Sequence, residues 1–167
     1  KLEIQEDLAL LVAVGAQPKL EQLEEILIAC GFVKSLCSSR IVGAESCWEK
    51  DKKTIFIGIG QFYRWAAWGE VGISTAGTAT EQLVGLGIPV VSFPGRGPQF
   101  KKGFAIRQSH LLGRSAIPCF TEEQFIKNLK LLLSDSLLRL HLGSLGKKRM
   151  GPSGGSDAVA DLIASLL

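Results

Sequence analysis

The chain is poor in the residues that most catalytic and metal centres require: two histidines, one tyrosine and one methionine among 167 residues. Four cysteines, Cys30, Cys37, Cys47 and Cys119, form no C-x-x-C pair, and with only His110 and His141 to add to them no zinc spacing can be assembled. Free thiols in a reducing compartment are expected, with no metal site. No stretch approaches the ~20 apolar residues that cross a bilayer. The longest strongly apolar run is residues 8–16, and the start lacks the arrangement of a signal peptide. The expected place is the cytoplasm or an organelle interior, either soluble or peripheral to a membrane. Charge of one sign is lacking too: 19 basic against 16 acidic residues leave +3. A dedicated nucleic-acid binder usually carries a strong basic stripe, so no nucleic-acid partner is expected.

What is present is the balance of a globular domain. Apolar residues make up 46% and charged residues 21%, enough to bury one sizeable core, and the length is that of a single domain over residues 1–167. The chain opens at Lys1 without Met and meets a strand pattern within seven residues, which leads to the expectation that it is a piece of something longer.

Residues 8–14 (LALLVAV) form a continuous aliphatic run, as in a strand buried on both faces. Residues 19–29 carry Leu20, Leu23, Ile26 and Leu27 at helical spacing between Pro18 and Gly31. Residues 33–53 have no clear period and read as a short strand at 33–37 followed by a hairpin or loop. Short buried strands are expected at 54–59, 71–74, 89–93 and 116–120. Helices are expected at 62–69, 78–86, 104–112 and 124–133, the last with Thr121 as its N-cap. Residues 137–167 read as two helices split by Gly151-Pro152-Ser153-Gly154-Gly155, with Ser156 and Asp157 placed to cap the second. Alternating strands and helices imply an α/β fold with a doubly wound parallel, Rossmann-like sheet and a binding crevice at the carboxyl ends of its strands.

The segment from Gly72 to Pro89 is strand, small-residue turn, helix and next strand, and its chemistry suits phosphate. Gly77 lets a backbone approach a ligand closely, Thr78 and Thr80 supply hydroxyls, and the unpaired N–H groups of a helix start favour an anion. The plainer alternative makes Gly77 a tight turn and Thr78 a cap. Other nucleotide motifs fail. Gly58-Ile59-Gly60-Gln61-Phe62-Tyr63 has Tyr63 where a dinucleotide fingerprint needs its third glycine, and Gly146-Lys147 is followed by Lys148 rather than the Ser or Thr of a P-loop. No G-x-S-x-G elbow is present.

Gly77-Thr78-Ala79-Thr80-Glu81-Gln82, then Gly87-Ile88-Pro89-Val90-Val91, then Pro94 with Gln99 beyond it, resemble the carboxyl-terminal half of a GT-B glycosyltransferase. The nearest likeness is to the lipid-A-disaccharide synthase-related proteins, and a more distant one is to the MurG and UDP-GlcNAc 2-epimerase groups. It runs from about Leu8 to the end, including Met150-Gly151-Pro152-Ser153-Gly154-Gly155. The resemblance implies a donor-binding domain that holds a UDP-sugar, with the diphosphate at Gly77 and Thr78 and no further cofactor. The family's ribose-binding acid stands seven positions before the Pro. Here that position is Gln82, with Glu81 beside it, so either Gln82 takes the role weakly or Glu81 has shifted into it.

The resemblance also puts Gly60 and Gln61 near the nucleobase and makes Gln99 the amide that reads sugar hydroxyls. Arg96, Lys101 or Lys102 would then neutralise the leaving diphosphate, although a solvated basic loop is the plainer account of at least two of them. The same cations would suit an anionic membrane surface. Phe62, Trp65 and Trp68 are spaced three apart, more like core than a stacking box. The implied reaction is transfer of a GlcNAc-type sugar to a hydroxyl acceptor, such as a lipid-linked one. Its catalytic base is expected in an amino-terminal domain that this chain lacks. Two other functions fit the same architecture: a non-catalytic nucleotide-sugar-binding or interaction module, and a UDP-sugar epimerase or phosphorylase. The scarcity of histidine and the single cleft carboxylate count against the epimerase.

Overall fold

A computed structural model describes residues 7–36, 41–75, 77–93 and 101–166. The chain is α/β and divides into two compact units, residues 1–69 and 70–167.

The first unit is a mixed sheet with helices. Strand β1 (Leu8–Val14) leads to helix α1 (Leu20–Ala29), then to β2 (Val33–Ser35), β3 (Ser46–Lys50) and β4 (Lys53–Ile59). The sheet order is β1-β4-β3-β2. β1 pairs parallel with β4 from Leu8 opposite Lys53 to Val14 opposite Ile59, whereas β3 runs antiparallel to both β4 and β2. A tight turn joins β3 to β4 through Asp51, whose φ of 51° is one that aspartate tolerates better than most side chains. No crossover helix fits into so short a link, so the pair must be antiparallel. This corrects the expectation of one doubly wound parallel sheet.

The unbroken apolar run of β1 follows from cover on both faces. Val14, Trp48, Ile55 and Ile57 are buried, with the half-buried Leu10 and Val12 and with Leu20, Leu23 and Leu27 of α1 packed against them. On the opposite face Leu11 and Ala13 pack with Cys47, Phe56 and Trp65. Trp65 ends the one-turn helix α2 (Phe62–Trp65), which a 3-10 turn, Ala66–Trp68, continues. Trp65 is core as expected, its indole N–H bonded to the Val42 carbonyl (3.0 Å), while Trp68 is about half exposed.

The second unit has a parallel sheet in the order β5 (Gly72–Ser74), β6 (Val90–Ser92), β7 (Ala116–Pro118). Helix α3 (Gly77–Gly85) follows β5, α4 (Lys102–Leu111) follows β6, and α5 (Glu122–Ser134) follows β7. Because the strands are parallel, each of these helices starts at the carboxyl edge of the sheet and the chain returns to the opposite edge. Thr121 caps α5 as expected, its hydroxyl accepting from the Gln124 N–H (3.2 Å). Helix α6 (Ser136–Met150) is capped by Asp135, which accepts from the Leu138 N–H (2.8 Å). Arg139 on α6 donates to the terminal carbonyls of α5 at Leu132 (2.7 Å) and Leu133 (2.8 Å).

α6 lies on α3 through a face of small residues and also touches α5. A Cβ at Gly143 would collide with the Gly87 carbonyl, and one at Gly146 would come within 2.5 Å of Val84 and 2.8 Å of Ser115. The Ser115 hydroxyl in turn donates to the Leu142 carbonyl. Gly87 itself ends α3 with φ +84°, a left-handed conformation that a side chain would strain. Gly146 thus has a packing role that the failed P-loop pattern did not suggest.

The last helix, α7 (Gly155–Ser165), has Gly154 at its N-cap and no side-chain cap bond, so the capping expected of Ser156 and Asp157 is not formed. Glycine at φ +106° makes the turn instead. None of its residues is buried. Cys30 and Cys119 are free thiols, but Cys47 is disulfide-bonded, which corrects the expectation of free cysteines throughout. A bridge depends on spatial approach, about 4.4–6.8 Å between Cα atoms, which motif spacing does not report. No helix among the described residues is long and apolar enough to cross a membrane.

Candidate functional site

Helix α3 opens at the carboxyl edge of the β5-β6-β7 sheet, after β5. At the opposite end, a Cβ at Gly72, the first residue of β5, would lie only 2.8 Å from Leu83 and 3.0 Å from Val90, so the absence of a side chain there lets the last turn of α3 sit down on the sheet. β5 ends at the buried Ser74, and Gly77 opens the helix. Gly77 has no left-handed φ, and a Cβ there would make only ordinary contacts with the described residues, 3.4 Å from Phe104 and 3.9 Å from the Gln108 amide. Nothing in the local fold among those residues therefore demands glycine at this position.

The expected donor residues on α3 divide by face. Thr78 and Gln82 are exposed, whereas Thr80 is completely buried in the core. Glu81 lies between these extremes, half-buried on the side facing α4. There it accepts a hydrogen bond from the side-chain amide of Gln108 (3.2 Å), and the same nitrogen donates to the carbonyl of Gly77 (3.0 Å). Both partners are acceptors, so the amide can only be oriented with its nitrogen toward them. Gln108 is 4% exposed, and a buried amide must find partners of this kind.

Cationic and aromatic groups share the same edge. Lys101, the N-cap residue of α4, is exposed, and the Lys102 ammonium sits 4.9 Å from the Phe120 ring centroid, within cation–π range. Phe93, just past β6, meets Phe125 of α5 edge-on at 6.0 Å. Cys119, after β7, is buried. Its desolvation pushes the thiol above its ordinary value, and a hydrogen bond from the Asn128 amide (3.4 Å) opposes the shift. Arg96 and Gln99 fall outside the described residues.

Gly60 and Gln61 belong to the first unit, and both are engaged within it. The Gly60 N–H donates to the Val14 carbonyl (2.9 Å) and the Gln61 amide nitrogen to the Ile59 carbonyl (3.1 Å). The Gln61 side chain is turned toward Gly43, its oxygen buried and without a hydrogen-bond partner among the described residues. Gly58 is a buried strand residue at which a Cβ would strike the Gly43 carbonyl and lie 2.5 Å from Trp65. The glycines that imitate a dinucleotide fingerprint thus have packing and turn roles here.

Gln108 is the member of the site that the motif reading missed. A signal for it exists: Phe104, Ala105, Gln108, Ser109 and Leu112 form one helical stripe in FAIRQSHLL, and a glutamine on a stripe that buries Ala105 and Leu112 needs a partner. Among the described residues no group of three or more His, Cys, Asp or Glu side chains is gathered for a metal ion. No protein-family model, curated protein or solved structure matches the chain.

Proposed function

We propose that the chain binds the uridine diphosphate portion of a nucleotide sugar at the start of α3 and serves as the donor-binding part of a glycosyltransferase. The observation that carries this reading is the half-buried carboxylate of Glu81, held on the first turns of a helix that opens at the carboxyl edge of a parallel sheet. A diphosphate at that edge would meet the free N–H groups of the first turn of α3, the Thr78 hydroxyl and the ammonium groups of Lys101 and Lys102. Arg96 would add a cation and Gln99 would read sugar hydroxyls. Glu81 suits the ribose better than Gln82, because a carboxylate accepts from two hydroxyls more strongly than an amide does.

In the complete enzyme the acceptor oxygen would form a bond to the anomeric carbon as the bond to the diphosphate breaks. The acceptor proton would pass to a base supplied by another domain. The donor is proposed to be of UDP-GlcNAc type, and the acceptor a hydroxyl of a lipid-linked molecule at a membrane surface.

Calorimetric titration of UDP, UDP-GlcNAc and NAD into the purified chain tests the donor site. Saturable binding of both uridine nucleotides is expected, with NAD inert, a several-fold loss in Thr78→Val and little change in Gln82→Ala. If neither uridine nucleotide binds at millimolar concentration, the reading is wrong.

A further inference from the structure

We infer that Gln108 is a positioning residue which aims the Glu81 carboxylate at the ribose hydroxyls of the bound nucleotide. This rests on the uridine diphosphate reading above. A glutamate on an exposed helix turn samples several rotamers, and ordering such a side chain on binding costs conformational entropy. Glu81 is not free in this way. One of its oxygens, Oε1, is fixed at 3.2 Å from an amide nitrogen that is itself buried and anchored at 3.0 Å to the Gly77 carbonyl.

The anchor point matters as much as the bond. Gly77 begins the helix start proposed to hold the diphosphate, and Glu81 is one turn further on the same helix. A single amide therefore ties the carboxylate to the first residue of that helix, so that groups for the two ends of a nucleoside diphosphate are held in fixed relation by α4. Gln108 donates both bonds from one nitrogen, and an apolar side chain of similar size can fill its space without making either. It follows that Gln108 acts through Glu81 on ribose recognition and touches no ligand itself.

The test compares UDP with 2′,3′-dideoxyuridine diphosphate, which retains the base and diphosphate but lacks the hydroxyls. Affinities are measured by calorimetry on the full chain for wild type, Glu81→Ala, Gln108→Leu and Gln108→Asn, each checked for folding by circular dichroism. The wild type is expected to prefer UDP by about tenfold, the size of one hydrogen bond to a charged group. Both Glu81→Ala and Gln108→Leu should bring that ratio close to one while leaving dideoxy-nucleotide affinity nearly unchanged. Should Gln108→Leu fail to fold, Gln108→Asn, which withdraws the amide by one methylene, decides the question in the same way.

A wild-type ratio near one, a ratio unchanged in the variants, or an equal loss for both nucleotides would overturn the role given to Gln108 while leaving the uridine diphosphate site standing. Absence of binding by the wild type to either nucleotide would overturn both.

Discussion

The backbone of Gly143, in the middle of α6, rests against the carbonyl oxygen of Gly87 at the end of α3, leaving no room for even a methyl group. Gly146, one turn on, meets Val84 and Ser115 in the same way. Two helices can come this close only where side chains are missing. Gly143→Ala and Gly146→Ala should each destabilise the second unit by about 1–3 kcal/mol through overpacking. The exposed neighbour change Ser144→Ala should have little effect, and thermal or urea denaturation reads the difference.

Gly58 and Gly60 should separate in the same kind of experiment. Gly58→Ala forces a Cβ into Trp65 and the Gly43 carbonyl and is expected to cost about 1–3 kcal/mol. Gly60→Ala meets open space but must hold a φ of +66°, a strain of roughly 1–2 kcal/mol. NAD should bind neither the wild type nor either variant, because these glycines carry no dinucleotide. An NAD affinity that Gly58→Ala abolished would contradict this assignment.

Arg139 has two kinds of partner, and they should contribute unequally. Its bonds to the Leu132 and Leu133 carbonyls are partly buried, whereas its ion pair with Glu70 (3.2 Å) involves a carboxylate that is 70% exposed. Exposed pairs contribute about 0–1 kcal/mol, but hydrogen bonds from a charged donor contribute about 1.5–3. Arg139→Ala should therefore lower unfolding stability clearly, while Glu70→Gln should barely change it. Equal losses would show that the ion pair dominates.

Cys119 gives an alkaline signature. Burial raises its folded-state pKa above the ordinary thiol value of 9.0, so below that pH the thiol is protonated in both folded and unfolded chains and adds no pH dependence. As the pH rises past it, the unfolded chain loses the proton first, and stability falls until the folded thiol also ionises. Denaturation midpoints of Cys119→Ala should accordingly decline less between neutral and strongly alkaline pH than those of the wild type. Alkylation of the native chain should mark the exposed Cys30 well before Cys119.

Features governed by neighbours along the chain were legible in the sequence. The stripe Leu20, Leu23, Leu27 located α1, the unbroken run of residues 8–14 showed that β1 is covered on both faces, and Thr121 marked the start of α5. β3 was hidden because Ser46-Cys47-Trp48-Glu49-Lys50 offers no alternation, although its first three residues are all buried by neighbours distant in the chain. Strand order was hidden for a related reason. The alternation of strands and helices does not say which strands pair, and the tight turn at Asp51 sends β3 antiparallel. At the site, the α3 segment was found through its small residues. That Glu81 rather than Gln82 is held against α4 could not be read from the segment, because the partner that holds it stands on another helix.

Three helices, α3, α4 and α5, open at one edge of the β5-β6-β7 sheet. The partial positive charge at each of these openings comes from aligned peptide groups and amounts to about half an elementary charge. Peptide groups do not titrate in the range where proteins remain folded. The attraction of that edge for an anion thus has a part that added salt can screen but a change of pH cannot switch off, and it would outlast the neutralisation of any lysine nearby.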